Sequence, residues 1–87
     1  MYSFATRSKK AERQFYNIIS KRPTIRQKLR SLQENPKKQL NAHRLRGKLE
    51  GKWSCYLGGD IRLVYEIDDS SKLIIVVAAG SHKESYN

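Results

Sequence analysis

The chain has 87 residues, 38% of them hydrophobic, and carries 18 Lys and Arg against 8 Asp and Glu, a net charge of +10. That length suits one domain with a small core; no apolar run approaches the ~20 residues of a membrane span, and the N-terminus MYSFATRSKK lacks the apolar stretch of a signal peptide. A lone cysteine, Cys55, excludes an intrachain disulfide and has no companion at metal-ligand spacing, so a structural thiol in the cytoplasm is expected.

Tyr2 to Ala5 alternates weakly and predicts a short first strand. Thr6 or Ser8 can then cap a helix in which Ala11, Phe15, Ile18 and Ile19 share one face. Arg22-Pro23 breaks it, and Pro23 suits the first turn of a second helix, with Ile25, Leu29 and Leu32 at i, i+4, i+7. Asn35-Pro36 ends that helix. Leu40 to Leu45 admits another short strand. Trp53 to Leu57 alternates, with Trp53 expected in the core; Gly58-Gly59-Asp60 turns, Ile61 to Ile67 alternates again, Asp68 to Ser71 turns, and Leu73 to Ala79 is an apolar, β-branched strand. The order β-α-α-β-β-β predicts an α+β fold over residues 1–87: a two-helix hairpin packed on one face of a twisted, mainly antiparallel sheet.

Charge divides sharply along the chain. Residues 1–52 hold 15 of the 18 Lys and Arg and 3 of the 8 Asp and Glu, a net of +12, while residues 53–87 hold 3 and 5, a net of −2. Such a field draws polyanions, nucleic acid first among them. No segment pairs exposed Trp or Phe with Lys and Arg as a membrane-surface helix does. In the strand 61–67, Ile61, Leu63, Tyr65 and Ile67 share one face and Arg62, Val64 and Glu66 the other. If the helices cover the apolar face, Arg62 stands on the open one, either as a partner for Glu66 or as a cation offered to a ligand. The only histidines, His43 and His82, lie in basic surroundings and are the side chains that titrate near neutrality.

Leu45-Arg46-Gly47, Trp53-Ser54 and Arg62-Leu63-Val64-Tyr65, followed by a last strand running into Gly80-Ser81-His82 with Tyr86 four residues on, resemble the RelE/ParE toxin superfamily. The resemblance covers essentially the whole chain and is similar in type to the YafQ, YoeB and RelE mRNA interferases. It implies a toxin of a type II toxin–antitoxin system that enters the ribosomal A site and cuts mRNA with the RNA's own 2′-hydroxyl as nucleophile, without metal or cofactor. The implied partners are a cognate antitoxin, the ribosome and mRNA; promoter DNA would be bound only through the antitoxin complex, and no membrane is involved. Residue by residue, His43 matches a catalytic His of YafQ-type members, Arg62 the strand arginine at the scissile phosphate, His82 the C-terminal His, and Tyr86 the terminal aromatic that meets the substrate. Arg46, Lys48 and Lys52 lie in the loop where RelE carries its lysines, and Lys83 adds a cation beside His82; these four are the expected RNA-binding residues. His82 is expected to act as acid and His43 as base. The chain departs from YafQ in two places: Ala78 or Ala79 stands where the last strand has an Arg, and Gly59-Asp60 supplies only the Asp of an Asp-Trp pair. Alternatives on the same fold are a ParE-like gyrase poison and a weakly catalytic RNA- or antitoxin-binding relative. Having His43, Arg62 and His82 together favours the nuclease.

Overall fold

The two helices bury one stripe each, and the rest follows from where that stripe lands. The structure, a computed structural model, describes residues 1–81. Its elements are β1 (Ser3–Thr6), α1 (Lys9–Lys21), α2 (Thr24–Glu34), β2 (His43–Arg44), β3 (Trp53–Tyr56), β4 (Ile61–Asp68) and β5 (Leu73–Ser81), with single 3-10 turns at Gln39–Asn41 and Gly47–Leu49. Between the two expected caps, Ser8 is the one used: its extended backbone lets the hydroxyl accept from the Ala11 amide at 3.1 Å. Pro23 sits one position earlier than expected, at the N-cap of α2, where its missing N–H costs nothing. Ala11, Phe15 and Ile18 of α1 and Ile25, Leu29 and Leu32 of α2 are buried.

They pack on Cys55, Leu57, Ile61, Leu63, Tyr65, Ile74, Val76 and Ala79 of the sheet. Each buried Leu, Ile or Phe contributes ~1.5–3 kcal/mol. The architecture is the expected α+β arrangement, two helices on a five-stranded, mostly antiparallel sheet of order β1-β5-β4-β3-β2. β1 pairs in parallel with β5, and the other pairs are antiparallel. No helix among the described residues is long and apolar enough to cross a membrane.

Two local devices position the open face. The β4–β5 ladder slips between Val64 and Tyr65: Val64 pairs with Ala78 but Tyr65 with Val76, leaving Val77 as an extra residue. The bulge rephases β5, so that Val76 and Ala79, three apart, both reach the core. Second, Tyr65 donates its buried hydroxyl to the Pro36 carbonyl at 2.6 Å. That bond fastens the loop leading to β2 onto the central strand.

Candidate active site on the uncovered sheet face

The face of the sheet away from the helices carries His43, Ser54, Tyr56, Arg62, Val64 and Glu66, as the strand registers require: His43 opposes Ser54, Ser54 opposes Val64, and Tyr56 opposes Arg62. Ser54 and Val64 are buried at its centre, while His43 is exposed and Tyr56 and Arg62 are half-buried around them. Tyr56 and Arg62 flank the tight turn at Gly58-Gly59, closed by Leu57 N–H to Ile61 O at 2.9 Å and Ile61 N–H to Gly58 O at 3.0 Å. Gly58 has φ +101°, a backbone only glycine takes without strain. A Cβ there would also lie 2.8 Å from the Lys28 ammonium.

Arg62 lays its guanidinium over the Tyr56 ring, 4.4 Å from the centroid. On the other side, the His43 ring lies 6.2 Å from that of Tyr56, tilted by 30°. The three side chains form a row of imidazole, phenol and guanidinium, with His43 and Arg62 roughly 12 Å apart at Cα from strand spacing. Glu66 is not the partner of Arg62. It pairs with Arg7 and, at 3.9 Å, with Lys52. Arg62 has no carboxylate partner among the described residues, so its cation is available to an anionic ligand.

A backbone carbonyl within hydrogen-bond reach of Nδ1 favours one tautomer of His43. Leu40 and Asn41 adopt left-handed backbone, φ 58° and 56°, just before β2. This turn brings the Asn41 carbonyl to 3.1 Å from His43 Nδ1. A carbonyl only accepts, so Nδ1 carries the proton and the neutral ring keeps its lone pair on Nε2.

Of the other expected residues, Arg46 caps the 3-10 turn Gly47–Leu49, and Lys48 lies exposed within it. Lys52 is tied to Glu66. These cations surround the β2 end of the row and do not join it. His82, Lys83 and Tyr86 lie outside the described residues. Trp53, expected in the core, only borders it: it is half-buried at the edge of the helix-packed face. The structure also separates the two alanines: Ala78 opposes Val64 on the open face, while Ala79 opposes Leu63 and is 1% exposed. Tyr56 was missed from sequence. Counting symmetrically outward from Gly59 would have found it, since a hairpin places Tyr56 and Arg62 opposite each other.

A family description, bacterial toxin of type II toxin–antitoxin system, YafQ, matches residues 2–86. No curated protein matches the chain. Among solved structures, the metal-bound toxin from Helicobacter pylori is 25% identical, with 97% of this chain and 98% of that one covered and a TM-score of 0.72. YafQ from Escherichia coli strain BL21(DE3) is 17% identical over 100% of both chains, TM-score 0.71. YoeB in the YoeB–YefM toxin–antitoxin complex from Staphylococcus aureus is 20% identical, with 94% and 98% covered and a TM-score of 0.68. The latter two likenesses concern the fold; the family match spans nearly every residue, and the chain belongs to the YafQ family of bacterial toxins of type II toxin–antitoxin systems.

Proposed function

We propose that this toxin cleaves mRNA in the ribosomal A site, with the 2′-hydroxyl of the RNA as nucleophile and without a metal. The observation that carries the reading is the row His43–Tyr56–Arg62 on the open face, with the Arg62 cation unengaged by any described carboxylate. The Nε2 lone pair of His43 takes the 2′-OH proton. The 2′-oxygen bonds to phosphorus, and the forked donors of Arg62 meet the non-bridging oxygens of the five-coordinate phosphorane. The P–O5′ bond then breaks. Protonated His82 supplies the proton to the departing 5′-oxygen, leaving a 2′,3′-cyclic phosphate. Acid and base each contribute ~10²–10⁴-fold. β5 runs to Ser81, which opposes Ile61 beside Arg62, so the described chain reaches the Arg62 end of the face one residue before His82.

Tyr56 is a positioning residue in this scheme: its ring supports the Arg62 plane. Arg46, Lys48, Lys52 and Lys83 hold flanking phosphates, and Tyr86 stacks on a base. The cognate antitoxin silences the toxin by laying an acidic segment over the same basic face, and promoter DNA is bound through that complex.

The test is to express the wild type and the variants His43→Ala, Arg62→Ala and His82→Ala in cells and to map mRNA 5′ ends. New ends within translated codons, lost in all three variants, are expected. Growth arrest with intact mRNA and DNA damage would instead mark a gyrase poison, and no effect at all a binding relative.

A further inference from the structure

On the other side of the β2 edge lies a cleft of about 780 Å³ that shares His43 and Arg46 with the cleavage scheme but whose Arg44 and Trp53 the scheme does not use. Its walls include His43, Arg44, Arg46, Trp53 and Ile67. Arg44 opposes Trp53 in the β2–β3 ladder and holds its guanidinium 5.4 Å from the indole centroid. Trp53 is half-buried against the core, so its ring is fixed on one side and reachable on the other. Neither Arg44 nor Arg46 has an ion-pair partner among the described residues. Two acids border the cleft: Asp69 is already taken by Tyr2 and by Lys37 at 3.1 Å, and Glu50 is exposed and forms no ion pair with Arg44 or Arg46. The cleft therefore combines an aromatic face, a planar cation stacked near it, and a second cation that no described carboxylate pairs, with cations outnumbering acids along its walls.

We infer that this cleft is a subsite for one unpaired nucleotide of the RNA, its base stacked on the Trp53–Arg44 pair and its phosphate on Arg46. Indole and guanidinium planes are the surfaces on which proteins stack splayed-out bases. The inference rests on the reading that the open face takes RNA, because His43 connects the two places. His43 stands at the cleft rim, while its ring faces Tyr56 on the open side. A strand lying along Arg62, Tyr56 and His43 meets the β2 edge next, and β2 is only two residues long, so the chain can cross it into the cleft. The subsite would read the identity of a base flanking the cut. The charge and the aromatic lining favour a nucleotide over an acidic peptide, which needs the cations but not the ring.

Trp53 is the only tryptophan, so in the folded protein all indole emission arises from the wall of this cleft. The probe is a single-stranded hexanucleotide with 2′-O-methyl groups, which cannot be cut by 2′-hydroxyl attack, compared with an abasic chain of equal length. Saturable quenching by the first is expected, and none by the second. Arg44→Ala is expected to weaken binding of the base-containing oligomer about tenfold. The inference is overturned if both oligomers quench alike, if neither quenches, or if Arg44→Ala binds within twofold of wild type. It is also overturned if an acidic peptide quenches Trp53 and the RNA does not. Arg44 is exposed, so its truncation to Ala is expected to keep the fold.

Mapping of 5′ ends separates this inference from the reading beneath it. Absence of cleavage by wild-type toxin removes the nuclease reading. Cleavage by wild type with an unchanged base preference in Arg44→Ala removes the subsite alone. A preference flattened at one position beside the cut supports it.

Discussion

Replacing Tyr65 by Phe removes one oxygen from the buried middle of β4, and the consequence can be worked from the geometry. The hydroxyl is its ring's only polar atom, sits in a fully buried residue, and donates to the Pro36 carbonyl at 2.6 Å. Pro36 is itself buried. In Tyr65→Phe that carbonyl keeps its desolvation and loses its donor, a cost of ~1–3 kcal/mol. For a domain of this size each kcal/mol lowers Tm by about 4–8 °C. Burial pushes the Tyr65 phenol well above its ordinary pKa, so the donor is protonated at any working pH and the loss should not vary between pH 6 and 9. Urea unfolding followed by Trp53 fluorescence measures the effect, and the slope m should be unchanged, because the surface exposed on unfolding is the same. Tyr56→Phe is the control: no hydrogen bond is made by the Tyr56 hydroxyl among the described residues, and the substitution should cost under ~0.5 kcal/mol. A Tyr65→Phe loss below ~0.5 kcal/mol would refute the argument that this bond fastens the loop. The loop runs on to His43, so under the proposed nuclease reading the variant should also cut mRNA more slowly than Tyr56→Phe at a temperature where both are folded.

Arg62→Lys keeps the charge but loses the fork and the stacked plane; cleavage should fall ~10²–10³-fold, while stability changes by no more than the ~0.5–1 kcal/mol of an exposed cation–π contact. Equal losses in Tm and activity would point to a structural role. Desolvation pushes the buried Cys55 thiol up to about 12, so at pH 8 it should resist a disulfide reagent in the fold and react fully in urea; rapid native labelling contradicts its burial. Asp69 lies below the ordinary carboxylate range because the Tyr2 hydroxyl and Lys37 favour its anion. Its contribution is therefore present at neutral pH and lost as pH falls below the ordinary carboxylate pKa of about 4, and Asp69→Asn should flatten the acid side of the Tm profile there. An unchanged profile would show that the contact is not made in solution.

The sequence by itself determined the element order, the two buried helix stripes and the faces of β4, because each rests on a local period: 3.6 residues for Phe15, Ile18, Ile25, Leu29 and Leu32, and two for Ile61 to Ile67. It also carried the family resemblance through Leu45 to Tyr65, and it singled out His43 and Arg62 by residue type. Tertiary structure decided what depends on pairing. The parallel docking of β1 on β5 joins residues some seventy apart, which no local period encodes. The uniformly apolar β5 gave no phase, so only the bulge at Val77 shows that Ala78 faces the site and Ala79 the core. Trp53 has the composition of a core residue, yet it only borders the core and lines the cleft beside β2, which the strand pattern alone does not show. The partner of Glu66 was open from the strand pattern alone. Arg7 and Lys52 approach it from elsewhere in the fold, and that leaves Arg62 on Tyr56, with its charge directed to whatever binds the open face.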